Sequence, residues 1–186
     1  MRSWATISRE VVLDRSPWLV VEDHRIKLPS GEEISNWAWV VAPDYVTIAA
    51  TTQEGEFLCF RQTKYAVDGT VLAPVAGYLE PGESPLAGAQ RELREEAGYD
   101  ADSWIDLGSY VVDANRGAGR GHFFLARNAR RVGPPITDDL EDQDLVLLKR
   151  EEIATELARG GFKVMSWSAV FALALLRLDD VHGNAV

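Results

Sequence analysis

In the first half of the chain, short runs rich in Val, Ile, Trp and Thr are separated by turn residues, so 18–21, 34–41, 46–52 and 56–61 read as strands. Two reversals are marked locally: Leu28-Pro29-Ser30-Gly31 combines a preset proline with a permissive glycine, and Glu54-Gly55 joins two strand-like runs as a hairpin. From Ser84 the period changes to that of a helix, with Leu86, Ala89, Leu93 and Ala97 on one face. Ser84 suits the N-cap, Pro85 the first helical position and Gly98 the C-terminal stop. Strand-like runs return at 104–112, 122–126 and 144–148, and the glycines of 117–121 read as a connection. A short helix over 151–159 stops at Gly160-Gly161, and a last helix starts near Ser166 and carries Val170, Phe171, Leu173, Leu175 and Leu176. Strands, then a helix, then strands, then two helices predict an α/β architecture with a mixed sheet and helices on its faces. Pro43-Asp44 punctuates the chain, which suggests a small N-terminal β lobe over 1–44 ahead of a main domain over 45–186.

Composition narrows this picture. With 186 residues, 46% hydrophobic and 26% charged, the chain has the proportions of a folded globule of one domain with a short extra lobe. Its 19 Lys and Arg against 29 Asp and Glu give a formal charge of −10, which disfavours a surface that tracks nucleic-acid phosphates or an anionic membrane. Cys59 is the only cysteine, which excludes an intrachain disulfide and a thiolate-only zinc site and points to a reducing compartment. Residues 1–10 lack the apolar core of a signal peptide, and the longest apolar run, 169–176, falls well short of the roughly 20 residues of a membrane span. The expectation is a cytoplasmic protein with no membrane segment.

The chemistry concentrates between 77 and 99. Glu92, Glu95 and Glu96 are related as i, i+3 and i+4, so the helix predicted there carries three carboxylates on one face. Like charges this close, near the negative end of the helix dipole, destabilise a bare helix. A solvated face is the plain reading of such a run; a hard divalent cation is the reading that compensates the repulsion, because carboxylate oxygens are its preferred ligands. Arg91 offsets part of the repulsion, and the preceding loop can bring Glu83 back to it.

Gly77, five residues, Glu83, seven residues, then Arg91-Glu92-Leu93-Arg94-Glu95-Glu96-Ala97-Gly98-Tyr99 resembles the Nudix box, with Tyr99 a mild departure at its last apolar position. The resemblance implies a Nudix-type α/β/α sandwich and hydrolysis of a nucleoside diphosphate linked to another moiety. It implies Glu92, Glu95 and Glu96 as the principal Mg²⁺ or Mn²⁺ ligands. Glu83 would be a further ligand or the partner of Arg91, and the backbone carbonyl of Ala76 an additional ligand. By the same resemblance, the acidic run 137–144 corresponds to a loop that supplies a base or extra ligand; Glu141 is the leading candidate, Asp139 the second, and Glu96 is placed among the catalytic residues.

Phe60-Arg61-Gln62-Thr63-Lys64 is similar to the Arg-Gln-x-Arg segment of the ADP-ribose and nucleotide-sugar pyrophosphatases of that family, with Lys64 in place of the second arginine. A lysine meets phosphate as a point charge and cannot make the two-pronged contact. The family's Glu-Leu-Pro-Ala-Gly approach to the box reads Ala73-Pro74-Val75-Ala76-Gly77 here, without the glutamate. Arg116 and Arg120, among the glycines after the box, could meet a phosphate or terminal sugar or could be solvent-facing arginines of a hairpin. Trp37 and Trp39, two apart in a strand, share a sheet face and offer either a platform for a base or packing surface. An N-terminal β lobe is how the ADP-ribose members build a swapped homodimer, so the resemblance implies one here. The expected activity is Mg²⁺-dependent cleavage of ADP-ribose or a related nucleoside diphosphate sugar. The alternatives are another nucleoside diphosphate derivative, such as a triphosphate or dinucleoside polyphosphate, or a non-catalytic nucleotide-sugar sensor.

Overall fold

The computed structural model describes residues 3–136 and 143–183. The chain divides into two compact units: Met1–Asp44 with Tyr110–Gly121, and Tyr45–Ser109 with His122–Val186.

The first unit is a meander of β1 (Ala5–Arg15), β2 (Leu19–Lys27) and β3 (Glu33–Val41), each antiparallel to the next. The reversal predicted at Leu28–Gly31 closes with Gly31 N–H donating to the Leu28 carbonyl at 2.9 Å. The first unit also takes in the far end of the hairpin formed by β8 (Tyr99–Asp113) and β9 (Gly117–Arg131), where Gly117 stands beside Val40 of β3. One strand is new here and one expectation is corrected. β1 has no counterpart in the sequence reading, and the glycines of 117–121 begin a strand instead of linking two. Gly117 and Gly119 serve close approach: a Cβ on Gly117 would come within 2.6 Å of the Trp39 ring, and one on Gly119 within 2.8 Å of the Pro43 carbonyl.

In the second unit β4 (Tyr45–Thr52) is flanked by β7 (Val75–Tyr78) and β5 (Phe57–Lys64), and β5 in turn pairs with β6 (Val67–Ala73) and β10 (Gln143–Leu148). Every residue of β4 from Val46 to Thr52 is buried, so both of its faces are covered. The covering elements are α1 (Pro85–Ala97) and α3 (Met165–Gly183), with α2 (Arg150–Ala158) packed against α3. Helices on both faces of a mixed sheet are the sandwich expected from the sequence. Its core holds Ile48, Leu58, Leu93, Leu125 and Ile153, and Phe171 packs against Phe57 and Phe162 with ring centroids 5.8 and 4.5 Å apart. β6 and β7 are further strands that the sequence pattern does not predict; Ala73–Gly77, the approach to the box, contributes to both.

Candidate active site

The acidic helix forms by local rules. Ser84 Oγ accepts the Ala87 N–H at 3.3 Å, Pro85 occupies the first turn, and Gly98 closes the helix in the left-handed region at φ 71°. α1 packs on β7 and β4 through Ala89, Leu93 and Ala97, which turns Arg91, Glu92, Glu95 and Glu96 towards the end of β7 and the loop that follows it.

Arg91 organises this surface. Its guanidinium donates twice to Glu83, from Nε and Nη2 at 2.9 Å each, to Glu92 at 2.7 Å and Glu95 at 3.0 Å from Nη1, and to the Tyr78 carbonyl at 3.0 Å from Nη2. All five of its N–H groups are thereby used. Glu83 is also held by the Glu80 N–H at 3.0 Å. The hydrogen bonds from Arg91 hold the Glu83 carboxyl below the usual carboxylate range, and those carboxylates raise the guanidinium in turn. Two glycines make room for the cluster. A Cβ on Gly77 would lie 2.1 Å from the Glu92 carboxylate, and one on Gly88 would lie 2.4 Å from Leu79 and 3.0 Å from Glu83.

Glu96 faces a different donor, the Ala76 N–H at 3.1 Å. In an extended strand the N–H and C=O of one residue point to the same edge, so the Ala76 carbonyl is turned to the edge that meets Glu96. The sequence-predicted set is thus gathered at one place, Glu83, Glu92 and Glu95 on Arg91 and Glu96 with Ala76.

The donor set fits a hard divalent cation. Four carboxylates stand here beside one guanidinium, an excess of acidic groups over basic ones. Glu92, only 8% exposed, shares that single guanidinium with two other carboxylates. Every available ligand is an oxygen, which suits Mg²⁺ or Mn²⁺ and not a soft metal. Among the described residues no three His, Cys, Asp or Glu side chains converge on one metal-sized position, because the carboxylates are collected by the guanidinium.

Comparison with known proteins decides the family: the NUDIX domain profile matches residues 41–168. The chain belongs to the NUDIX domain family. It is 34% identical over 108 residues to an ADP-ribose pyrophosphatase of Bacillus subtilis (strain 168), a match covering 58% of this chain and 57% of that enzyme. It is 30% identical over 179 residues to a CMP-5'-(N-acetyl-N-hydroxy-3-aminopropyl)phosphonate hydrolase of Streptomyces rubellomurinus (strain ATCC 31215), which covers 96% of this chain and 85% of the relative. A methanol dehydrogenase activator of Bacillus methanolicus is 29% identical over 163 residues, covering 87% of this chain and 85% of the relative. A crystal structure of an ADP compounds hydrolase superposes with a TM-score of 0.80 at 18% identity, over 100% of this chain and 98% of that one, and shows the same fold. These similarities make the NUDIX chain an enzyme of the pyrophosphohydrolase kind, in a family that uses divalent metal ions.

The remaining predicted residues are distributed as follows. Arg61 is exposed on β5, opposite Asp144 of β10 and Leu72 of β6, and Lys64 ends the same strand. Arg116 is exposed in the β8–β9 turn, where Asp113 Oδ1 accepts from the N–H groups of Asn115 and Arg116 at 2.7 and 2.9 Å. Arg120 is exposed on β9, and its backbone N–H is held by Asp44 at 2.9 Å. Trp37 and Trp39 are half-buried and line one cavity of about 350 Å³ in the first unit, together with Trp4, His24 and Asn115. Asp139 and Glu141 lie outside the described residues. Sequence reasoning missed the contribution of Tyr78, which acts through its carbonyl, and of His24, whose position depends on strand register. Among the described residues no helix is long and apolar enough to cross a membrane.

Proposed function

We propose that the chain hydrolyses the pyrophosphate bond of ADP-ribose or a related nucleoside diphosphate sugar, with Mg²⁺ as the metal, giving a nucleoside monophosphate and a sugar phosphate. The observation that carries this reading is the acidic face of α1, with Glu92, Glu95 and Glu96 all present and set against the Ala76 edge of β7. The resemblance of 60–64 to the phosphate-binding segment of ADP-ribose enzymes, and the Bacillus subtilis relative, favour the substrate class.

Glu92, Glu95, Glu96 and the Ala76 carbonyl would hold the metal. When bound, it screens the phosphates and lowers the pKa of an attacking water. Arg91 keeps Glu83 and the two helical carboxylates in place by four of its five hydrogen bonds, which preorganises an acid-rich surface that would otherwise splay apart. Arg61 and Lys64 supply positive charge for the substrate phosphates, and Arg116 and Arg120 serve the second phosphate or the terminal sugar. Glu141, or else Asp139, takes the proton from the attacking water. Trp37 and Trp39 stack on the nucleobase. Residues 1–44 act as the dimerisation element of a homodimer, a role supported by the wholly exposed β1.

A cytidine-linked substrate is the second reading, favoured by the match to the Streptomyces enzyme over nearly the whole chain. The test is phosphate release, coupled to a phosphatase, from ADP-ribose, UDP-glucose, GDP-mannose, NADH and a cytidine diphosphate derivative in the presence of Mg²⁺. Turnover concentrated on ADP-ribose is expected. Binding without turnover of any of them would overturn the enzyme reading in favour of a sensor.

A further inference from the structure

The cavity of the first unit is floored by one face of β2 and β3. Register sets Glu22 opposite Trp39 and His24 opposite Trp37, so these four side chains share that face. The Trp37 indole donates to the Asn115 carbonyl at 2.6 Å, and its ring meets Trp4 edge-on with centroids 5.4 Å apart. The His24 ring lies almost flat on Trp39, at 5.3 Å and 17°. At about 350 Å³ the cavity falls in the range of roughly 300–1,000 Å³ that small-molecule sites occupy.

His24 is the polar group of this aromatic floor. It is only 4% exposed, and its Nε2 stands 2.7 Å from Glu22 Oε2. An ionised carboxylate can only accept, so the ring proton of that contact belongs to Nε2. Where Nε2 carries the only ring proton, Nδ1 is an acceptor, and among the described residues nothing donates to it; Arg9 lies opposite His24 in register but makes no hydrogen bond to the ring. His24 lines the cavity, so a ligand donor that reaches an open ring acceptor there gains affinity.

We propose that His24 selects the nucleobase, its Nδ1 accepting a hydrogen bond from the exocyclic amine of an adenine- or cytosine-type ring. This rests on the reading that the tryptophan-lined cavity takes the base. Stacking on Trp37 and Trp39 is indifferent to which base is present, because every base offers a π face. Discrimination therefore falls to the polar edge. A ring carrying a carbonyl at the same position, as in hypoxanthine or uracil, would set one acceptor against another.

The test titrates the chain with AMP, IMP, CMP and UMP and follows tryptophan fluorescence. AMP and IMP differ by amine against carbonyl at one ring position, as do CMP and UMP. The wild-type chain is expected to bind AMP over IMP, and CMP over UMP, by about tenfold or more. His24→Phe keeps an aromatic face and is expected to bring both ratios within about twofold while retaining binding. Glu22→Gln offers either an acceptor or a donor to Nε2, so the ring can move its proton to Nδ1, and the preference is expected to shrink or invert. If His24→Phe does not fold by circular dichroism, Glu22→Gln decides. Equal binding of amine and carbonyl partners by the wild-type chain, or ratios unmoved in the folded variants, overturns the proposal. The reading of the cavity itself has a separate signature: Trp37→Ala is expected to weaken all four nucleotides together, and unchanged binding there would place the base elsewhere and overturn both.

Discussion

In β4 of the second unit seven of eight residues are buried, whereas in β1 of the first unit none of eleven is. The second unit covers both faces of its central strands with helices, and its acidic surface stands on a helix whose apolar side is locked into that core. Among the described residues the first unit has no helix, and it leaves Ile7, Val11, Val12, Leu13 and Trp18 in solvent along the outermost strand and its turn. Natural proteins guard edge strands because an apolar row beside unpaired backbone groups recruits other strands. The difference teaches a division of labour. Charge repulsion at the carboxylate cluster demands a rigid support, which the second unit supplies from its own chain. The first unit offers aromatic surface and an apolar edge, which are means of contact and not of core formation.

The largest effect tests the second unit's chemistry. Glu95→Gln and Glu96→Gln are each expected to lower turnover on the order of a hundredfold or more, because each removes a charged oxygen ligand. Thermal unfolding should hardly move: Glu95 is part-exposed, and a glutamine oxygen at 96 can still accept the Ala76 N–H. Wild-type rates in both variants would remove the metal assignment. Next in size is the core itself. Phe171→Ala empties a fully buried site against Phe57 and Phe162 and should cost about 3–5 kcal/mol in urea unfolding. Val12→Ala on β1, measured at a concentration where the chain is a monomer, should stay within about 0.5 kcal/mol, as an exposed substitution does. Comparable losses at the two positions would erase the contrast between the units.

The parts that could be read in the sequence are those written in local signals. Ser84, Pro85 and Gly98 mark the ends of α1 without reference to anything distant, and the one-sided glutamates follow from helical spacing alone. β1 could not be read: Arg9, Glu10 and Asp14 interrupt its apolar residues, both of its faces are exposed so nothing enforces alternation, and its pairing with β2 is what makes it a strand. The glycines of 117–121 resemble a loop by composition, yet they are needed for the close approach of Trp39 and Pro43. In the site, Arg91 and Glu83 were legible as partners eight residues apart, whereas the Tyr78 carbonyl on the same guanidinium was not, because a backbone acceptor leaves no mark in residue type. Trp37 and Trp39 were legible as a pair, and His24 was not, since only register brings it beside Trp39.

A smaller effect on folding, though a complete one on assembly, is expected from Val12→Lys. If residues 1–44 form the dimer, light scattering of the wild-type chain should give twice the chain mass at micromolar concentration. A lysine among Ile7, Val11 and Leu13 should reduce it to the mass of one chain, through charge placed at a desolvated contact. A wild-type monomer would leave the exposed row of β1 without its proposed partner and remove the dimerisation role from the first unit.

The smallest effect lies at the turn after β1. Asp14 is fully exposed, and its carboxyl is held below the usual range by the Ser16 hydroxyl, which lies 2.6 Å away, and by the Ser16 N–H at 2.8 Å. A depressed native value means that the charged form is favoured by folding. Its contribution is present above the ordinary aspartate value of about 3.9 and is lost as the pH falls through the lower native value. Ser16→Ala removes the larger of the two causes, so the Asp14 carboxyl should titrate at higher pH, closer to an unperturbed aspartate, in a carbon-detected NMR titration. Because this pair sits on the exposed rim of the first unit, the acid limb of thermal unfolding should barely change. A large change there would show that this turn supports folding after all, against the picture of the first unit as contact surface.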